Sequence, residues 1–114
     1  DAVYGNIAYD LASLIDDVRF KTDVKTKKYI FDEFLKKNKQ LNPKKFKNDF
    51  EILSVLRNLK IIGIFMRLSL RDNKKKYIRL IPYAWEMINH RIKKQKEFKN
   101  LMLLLKNNFP KYIR

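Results

Sequence analysis

The stretch NPKKFKNDFEILSVLRNLKIIGIFMRLSL, Asn42 to Leu70, decides the fold. It opens on Asn42-Pro43, a side chain able to cap free backbone N–H groups followed by a residue pre-set for the first helical position. No further proline interrupts it, and Phe46, Phe50, Leu53 and Leu56 recur with the helical period. One long helix from Pro43 toward Leu70 is therefore predicted. Its second half, with Leu59, Ile61, Ile62, Ile64, Phe65 and Met66, leaves few polar positions on any face, and a helix apolar all round is a buried one. Gly63 in that half costs about 1 kcal/mol against alanine. Close approach of a neighbouring helix would offset this. The dense β-branched residues of Lys60 to Met66 also suit a strand, but the helical period continues on both sides and favours helix.

The same period runs outward in both directions. Asn6 is a fair cap for a first helix from Ile7 to about Val18, with Ile7, Leu11, Leu14, Ile15 and Val18 on one face. Asp23 could cap a second helix presenting Tyr29, Ile30, Phe34 and Leu35, with Lys36 to Lys39 fraying its end. Past a charged break, Arg71 to Lys76, a fourth helix is predicted from Tyr77 to Lys94 through Leu80, Trp85, Ile88 and Ile92. Pro82 either kinks it or marks its true start, with Lys76 to Ile81 as a separate turn. A fifth helix covers Phe98 to Lys106, with Leu101, Met102, Leu104 and Leu105, and Pro110 ends it. No repeat or linker divides the chain. The expectation is an all-α, compact bundle of about five helices, a single domain over residues 1–114.

Composition sets the limits of the chemistry. The 114 residues are 46% hydrophobic and 34% charged, a globular rather than disordered balance. Cysteine is absent, which excludes disulfides, thiolate metal sites and a cysteine nucleophile. His90 is the only histidine, so a multi-histidine metal site is excluded as well. Gly5 and Gly63 are the only glycines, too few for a glycine-rich phosphate loop. Ile61 to Met66 is too short an apolar run to span a bilayer, and nothing near Asp1 resembles a signal peptide. A cytoplasmic protein is the default expectation. The chain has no initiator methionine and is expected to be a piece of a longer protein.

The net charge of +15 suits a nucleic-acid partner, because lysine and arginine displace the counterions of phosphates. Against that, the lysines spread from Lys21 to Lys111, and lysine outnumbers arginine, the better bidentate reader. Scarce alanine and glycine beside abundant lysine, asparagine and isoleucine fit drift toward AT-rich codons, so a nucleic-acid partner is the secondary reading.

A few polar residues stand out against the apolar pattern. Asp10 lies in the first helix between Tyr9 and Leu11. It is either an exposed acid or a buried carboxylate holding another segment's backbone. Asp16 and Asp17 close that helix, where the macrodipole disfavours negative charge. They are a solvated pair neutralised by Arg19, or a site for a cation or sugar hydroxyls. Lys60 and Arg67 share a face of the long helix, with Arg71 beyond them. They either snorkel into internal salt bridges or meet an acidic ligand. His90 reads as a surface residue, and Trp85 with Tyr83 as core rather than a sugar-stacking platform.

Gly5-Asn6-Ile7-Ala8-Tyr9-Asp10-Leu11-Ala12 resembles the G-[DHN]-x-A-Y-D-L-A segment of the aminoglycoside phosphotransferase and choline kinase-like family. Asp1-Ala2 resembles the end of that family's D-[FW]-x-D-A stretch, and Leu14 to Arg19 its S-L-L-x-D-A-R continuation. Lys60 to Leu68, with Arg71-Asp72 and Tyr77, is similar to the K-x-x-G-x-F-x-R-L…R-D…Y pattern of the bacterial branch. That branch includes the cell-wall amino-sugar kinases. The resemblance covers nearly the whole chain. It implies the C-terminal helical subdomain of a protein-kinase-like fold, with the nucleotide lobe, the H-G-D-x-x-x-x-N catalytic loop and the principal metal-binding Asp all upstream of Asp1.

On that resemblance no residue of this chain is catalytic and none binds metal. ATP and Mg²⁺ serve the parent enzyme, and the fragment alone is expected to be inactive and to bind neither. Asp10 would support the catalytic loop by accepting its backbone N–H groups. Asp16, Asp17, Arg19, Lys60 and Arg67 would line the acceptor side, and the cations among them would suit a carboxylated sugar. The expected partners are a sugar or amino-sugar acceptor and the missing N-terminal lobe. Self-association through exposed apolar surface is also expected. The competing reading is a basic helical module that binds nucleic acid or another protein.

Overall fold

Asn42 and Pro43 start the longest element of the chain. The computed structural model describes the backbone of residues 2–113 and the side chains of residues 7–113. Five α-helices follow in order among the described residues: α1 Ala2–Ile15, α2 Val24–Lys37, α3 Pro43–Arg71, α4 Ile81–Ile92 and α5 Lys99–Asn108. Among the described residues there is no strand. The all-α expectation holds, and Lys60 to Met66 is helical. The caps of α2 and α3 also hold. The Asp23 side chain accepts from the Thr26 N–H at 2.7 Å, and that of Asn42 from the Lys45 N–H at 3.1 Å.

Pro82 lies in the first turn of α4, and Lys75–Leu80 forms a separate 3₁₀ turn before it. Of the two readings of that proline, the second is the one the chain adopts, because a proline costs no hydrogen bond in a first turn. Before that turn, α3 stops at Asp72, and Asn73 takes a left-handed φ of 55° that asparagine tolerates. The Lys74 N–H closes back on the Leu68 carbonyl at 3.1 Å.

Other boundaries and faces differ from expectation. The first helix begins at Ala2, so Asn6 is an interior residue and not its cap. It stops at Ile15 because Asp17 turns its carboxylate onto the Arg19 N–H at 2.9 Å. Asp1 lies outside the described residues, as do the side chains of Ala2 to Asn6. In α2, Ile30, Phe34 and Leu35 pack against the core as expected, but Phe31 is the buried residue and Tyr29 is 65% exposed. The cause is the pair Phe46 and Phe50 on α3, whose rings lie 5.9 and 5.0 Å from Phe31. Leu14 and Leu56, both expected inside, are 67% and 49% exposed.

The second half of α3 is not buried all round. It packs α4 on one side through Val55 and Ile62, while Gly63, Met66 and Leu70 face outward. Gly63 permits no close helix approach, because a Cβ built there meets nothing within 4 Å. The glycine therefore costs helix stability with no packing return. Gly63→Ala should stabilise the chain by about 0.5–1 kcal/mol, read as a higher urea midpoint at unchanged slope.

Among the described residues the interior consists of two apolar clusters. One joins α1, α2 and the first half of α3 through Leu11, Ile15, Phe31, Phe46 and Phe50. The other joins the rest of α3 to α4 and α5 through Val55, Ile62, Trp85, Ile88 and Leu105. Trp85 is 5% exposed and stacks on Tyr112 at 5.3 Å, in keeping with a core role. No described helix is long and apolar enough to cross a membrane.

Candidate functional site

Ile15 belongs to one apolar cluster and Val18 to the other, and Asp16 stands between them, fully buried. A carboxylate there needs partners on every oxygen. Three other helices supply them. Arg91 of α4 donates Nε to Oδ2 at 2.6 Å and Nη2 to Oδ1 at 3.0 Å, a bidentate fork. Lys27 of α2 donates to Oδ1 at 2.9 Å, and the Ser54 hydroxyl of α3 donates to Oδ2. Arg57 also reaches the Asp16 backbone carbonyl at 3.4 Å. One side chain thus ties together α1, α2, α3 and α4.

Arg91 is held from the other side as well. Its guanidinium carbon lies 4.8 Å from the centroid of the Phe50 ring. Its Nη1 is 3.6 Å from Oε2 of Glu51, a residue only 3% exposed. The other Glu51 oxygen accepts from the Gln95 amide at 3.1 Å. Oε2 of Glu51 has no hydrogen-bond partner.

Burial alone would raise the Asp16 pKa. The Arg91 hydrogen bonds and charge, with Lys27 and Ser54, outweigh it and lower the pKa from 3.8 to about 2. A carboxylate held below its unfolded value favours the fold above that value and loses the contribution as pH falls. About 2 kcal/mol of stability should therefore be present above pH 4 and vanish between pH 4 and pH 2. Urea midpoints across that window measure it, and Asp16→Asn should flatten the dependence.

Beside this hub lies a recess of about 500 Å³ between α2, the start of α3 and the end of α4. Ile15, Val24, Phe31, Leu35, Pro43 and Phe50 form its apolar walls. Lys27, Lys28, Lys44, Lys47, Arg91 and Lys94 bring positive charge to it. A second hollow shares Lys44, Lys47, Glu51 and Lys94 with the first. His90 is on the surface as expected, and burial together with Lys94, Arg91 and Lys27 lowers its pKa. The neutral ring can then accept from Lys94, whose Nζ is 3.3 Å from Nε2.

The residues singled out from the sequence do not form one cluster. Asp16 is the hub. Asp17 is next to it and pairs with Arg19 at 2.9 Å, and the Arg19 hydrogen bonds lower its pKa. Asp10 is exposed on α1. Lys60 and Arg67 are exposed on the second half of α3 and line neither hollow. Arg91, Lys27, Ser54 and Glu51 were not singled out. The available signal was on α3: Glu51, Ser54 and Asn58 sit at helical spacing on its buried face, polar residues where an amphipathic helix should be apolar. Both side-chain polar atoms of Asn58 are buried without a hydrogen bond.

No protein-family profile matches the chain, and no solved structure matches it. Three curated proteins do, each named N-acetylmuramate/N-acetylglucosamine kinase. The Caulobacter vibrioides protein is 33% identical over 85 residues, 75% of this chain and 23% of that protein. The Neisseria meningitidis serogroup B protein is 34% identical over 91 residues, 72% of this chain and 26% of that protein. The Pseudomonas putida protein is 29% identical over 107 residues, 89% of this chain and 32% of that protein. The chain spans about a quarter to a third of the length of the curated relatives it matches, and it is homologous to that portion of these sugar kinases.

Proposed function

We propose that this chain is the acceptor-binding helical part of an ATP-dependent sugar kinase. The parent enzyme would move the γ-phosphate of ATP to a hydroxyl of an amino sugar. The observation that carries this reading is the similarity to three kinases of one name over 72–89% of the chain.

The exposed face of α1 supports it. Asp10 is exposed there, one position from Tyr9 at 39% exposure and one turn from Leu14 at 67%. A carboxylate flanked by apolar side chains suits a face that another segment covers, with its backbone N–H groups donating to Asp10. Asp17, Arg19, Lys60 and Arg67 are the proposed acceptor-side residues. Asp16, with its oxygens committed, would act from beneath by holding the wall together.

The residues present do not fit the Mg²⁺ of such an enzyme. Asp16 and Glu51 are bound to Arg91, and no described group of three acidic or histidine side chains gathers around a common point. Phosphoryl transfer needs a metal clamp, a phosphate cradle and a positioned base. In this reading all three belong to other parts of the parent protein, as does the nucleotide site.

The test is a chimera in which this chain replaces the matched segment of the Caulobacter vibrioides kinase. It should phosphorylate N-acetylmuramate or N-acetylglucosamine with ATP, while the chain alone should phosphorylate neither. Asp10→Ala in the chimera should lower kcat on the order of a hundredfold by misplacing the catalytic loop. A folded chimera without phosphotransfer to either sugar would overturn the reading.

A further inference from the structure

We propose that the recess between α2, the start of α3 and the end of α4 binds a phosphomonoester carried on a flat ring, of which a nucleoside monophosphate is the simplest example. The inference is independent of the kinase reading, because it rests on residues assigned no role there. At about 500 Å³ the recess is the size of a small-molecule site. Phe31 and Phe50 offer it an aromatic wall, and Leu35 and Val24 an aliphatic one.

The charges around the recess are not balanced. Lys27 and Arg91 are committed to Asp16, and Lys28 is paired with Asp32 at 2.8 Å. Lys44, Lys47 and Lys94 line the same recess with no acid within ion-pair distance among the described residues, and Lys94 meets only the His90 ring nitrogen at 3.3 Å. Three ammonium groups without an acidic partner suit a phosphate, which carries close to two negative charges at neutral pH.

Glu51 adds the second requirement. The residue lines both hollows, and its buried Oε2 accepts no hydrogen bond, its nearest cation being Arg91 Nη1 at 3.6 Å. A buried carboxylate oxygen without a donor is costly, so a ligand that fits would bring an N–H or O–H to it. A bare phosphate has no ring for the aromatic wall, and an apolar ring alone leaves the lysines and Glu51 unanswered. A phosphomonoester on a ring with an N–H edge or ribose hydroxyls answers all three.

The experiment is calorimetric titration of the purified chain with GMP, guanosine, ribose 5-phosphate and inorganic phosphate. GMP should bind at least about tenfold more tightly than each of the others. The Lys44→Glu/Lys47→Glu double variant should weaken GMP binding by about tenfold or more. Val24→Trp should do the same by filling the mouth of the recess without changing charge. All three positions are exposed, so thermal melts should be unchanged. Equal binding of GMP and inorganic phosphate would reduce the site to surface lysines and overturn the proposal. Equal binding of GMP and guanosine, or no binding of GMP, would overturn it as well.

Discussion

Replacing Arg91 with methionine should cost about 3–5 kcal/mol of folding stability. The substitution preserves most of the side chain's apolar bulk and removes its charge. Asp16 then loses its bidentate partner in a site with no solvent access, and keeps only Lys27 and Ser54. Glu51 loses the one cation beside its Oε2. A small domain has only about 5–15 kcal/mol in total, so the variant should stand near the edge of folding at room temperature. Urea unfolding followed by circular dichroism measures the loss. Asp16→Asn in the same background should recover part of it, because the stranded charge goes with it. A loss under 1 kcal/mol for Arg91→Met alone would show that the four helices do not depend on this ion cluster.

Phe46→Ala should cost a comparable amount, about 3–5 kcal/mol, by leaving a cavity at a site with no solvent access. The expected effect is local as well as large. Phe46 meets Phe31 and Phe34, which are the residues that seat α2 on α3. The second apolar cluster, around Trp85 and Ile88, contains none of these rings. Amide exchange in α2 should therefore accelerate far more than exchange in α4. Uniform acceleration along the chain would show that the two clusters unfold as one unit, contrary to this expectation.

Element types were legible because they depend on local rules. Asn42-Pro43, Asp23 and Pro82 each act within a turn of their own position, and the structure keeps all three signals. Faces were less legible. Tyr29 and Phe31 are both suitable core residues, and only the position of the α3 rings selects Phe31. The glycine of α3 was read through the neighbour it was expected to admit, and that neighbour is on the other side of the helix.

The hub was the least legible feature. Asp16 was visible as an acid at a helix end, where the macrodipole disfavours it. Its principal partner, Arg91, is seventy-five positions away, and no local rule links the two. By itself, the sequence determined an all-α chain with its helices in order and the caps of α2 and α3 in place, since capping and periodicity act over three or four residues. Only the tertiary structure decided that Asp16 is a buried junction and that a cation-rimmed recess opens beside it. Both depend on where α4 comes to rest against α1 and α3, which is set by the packing of side chains distant in sequence.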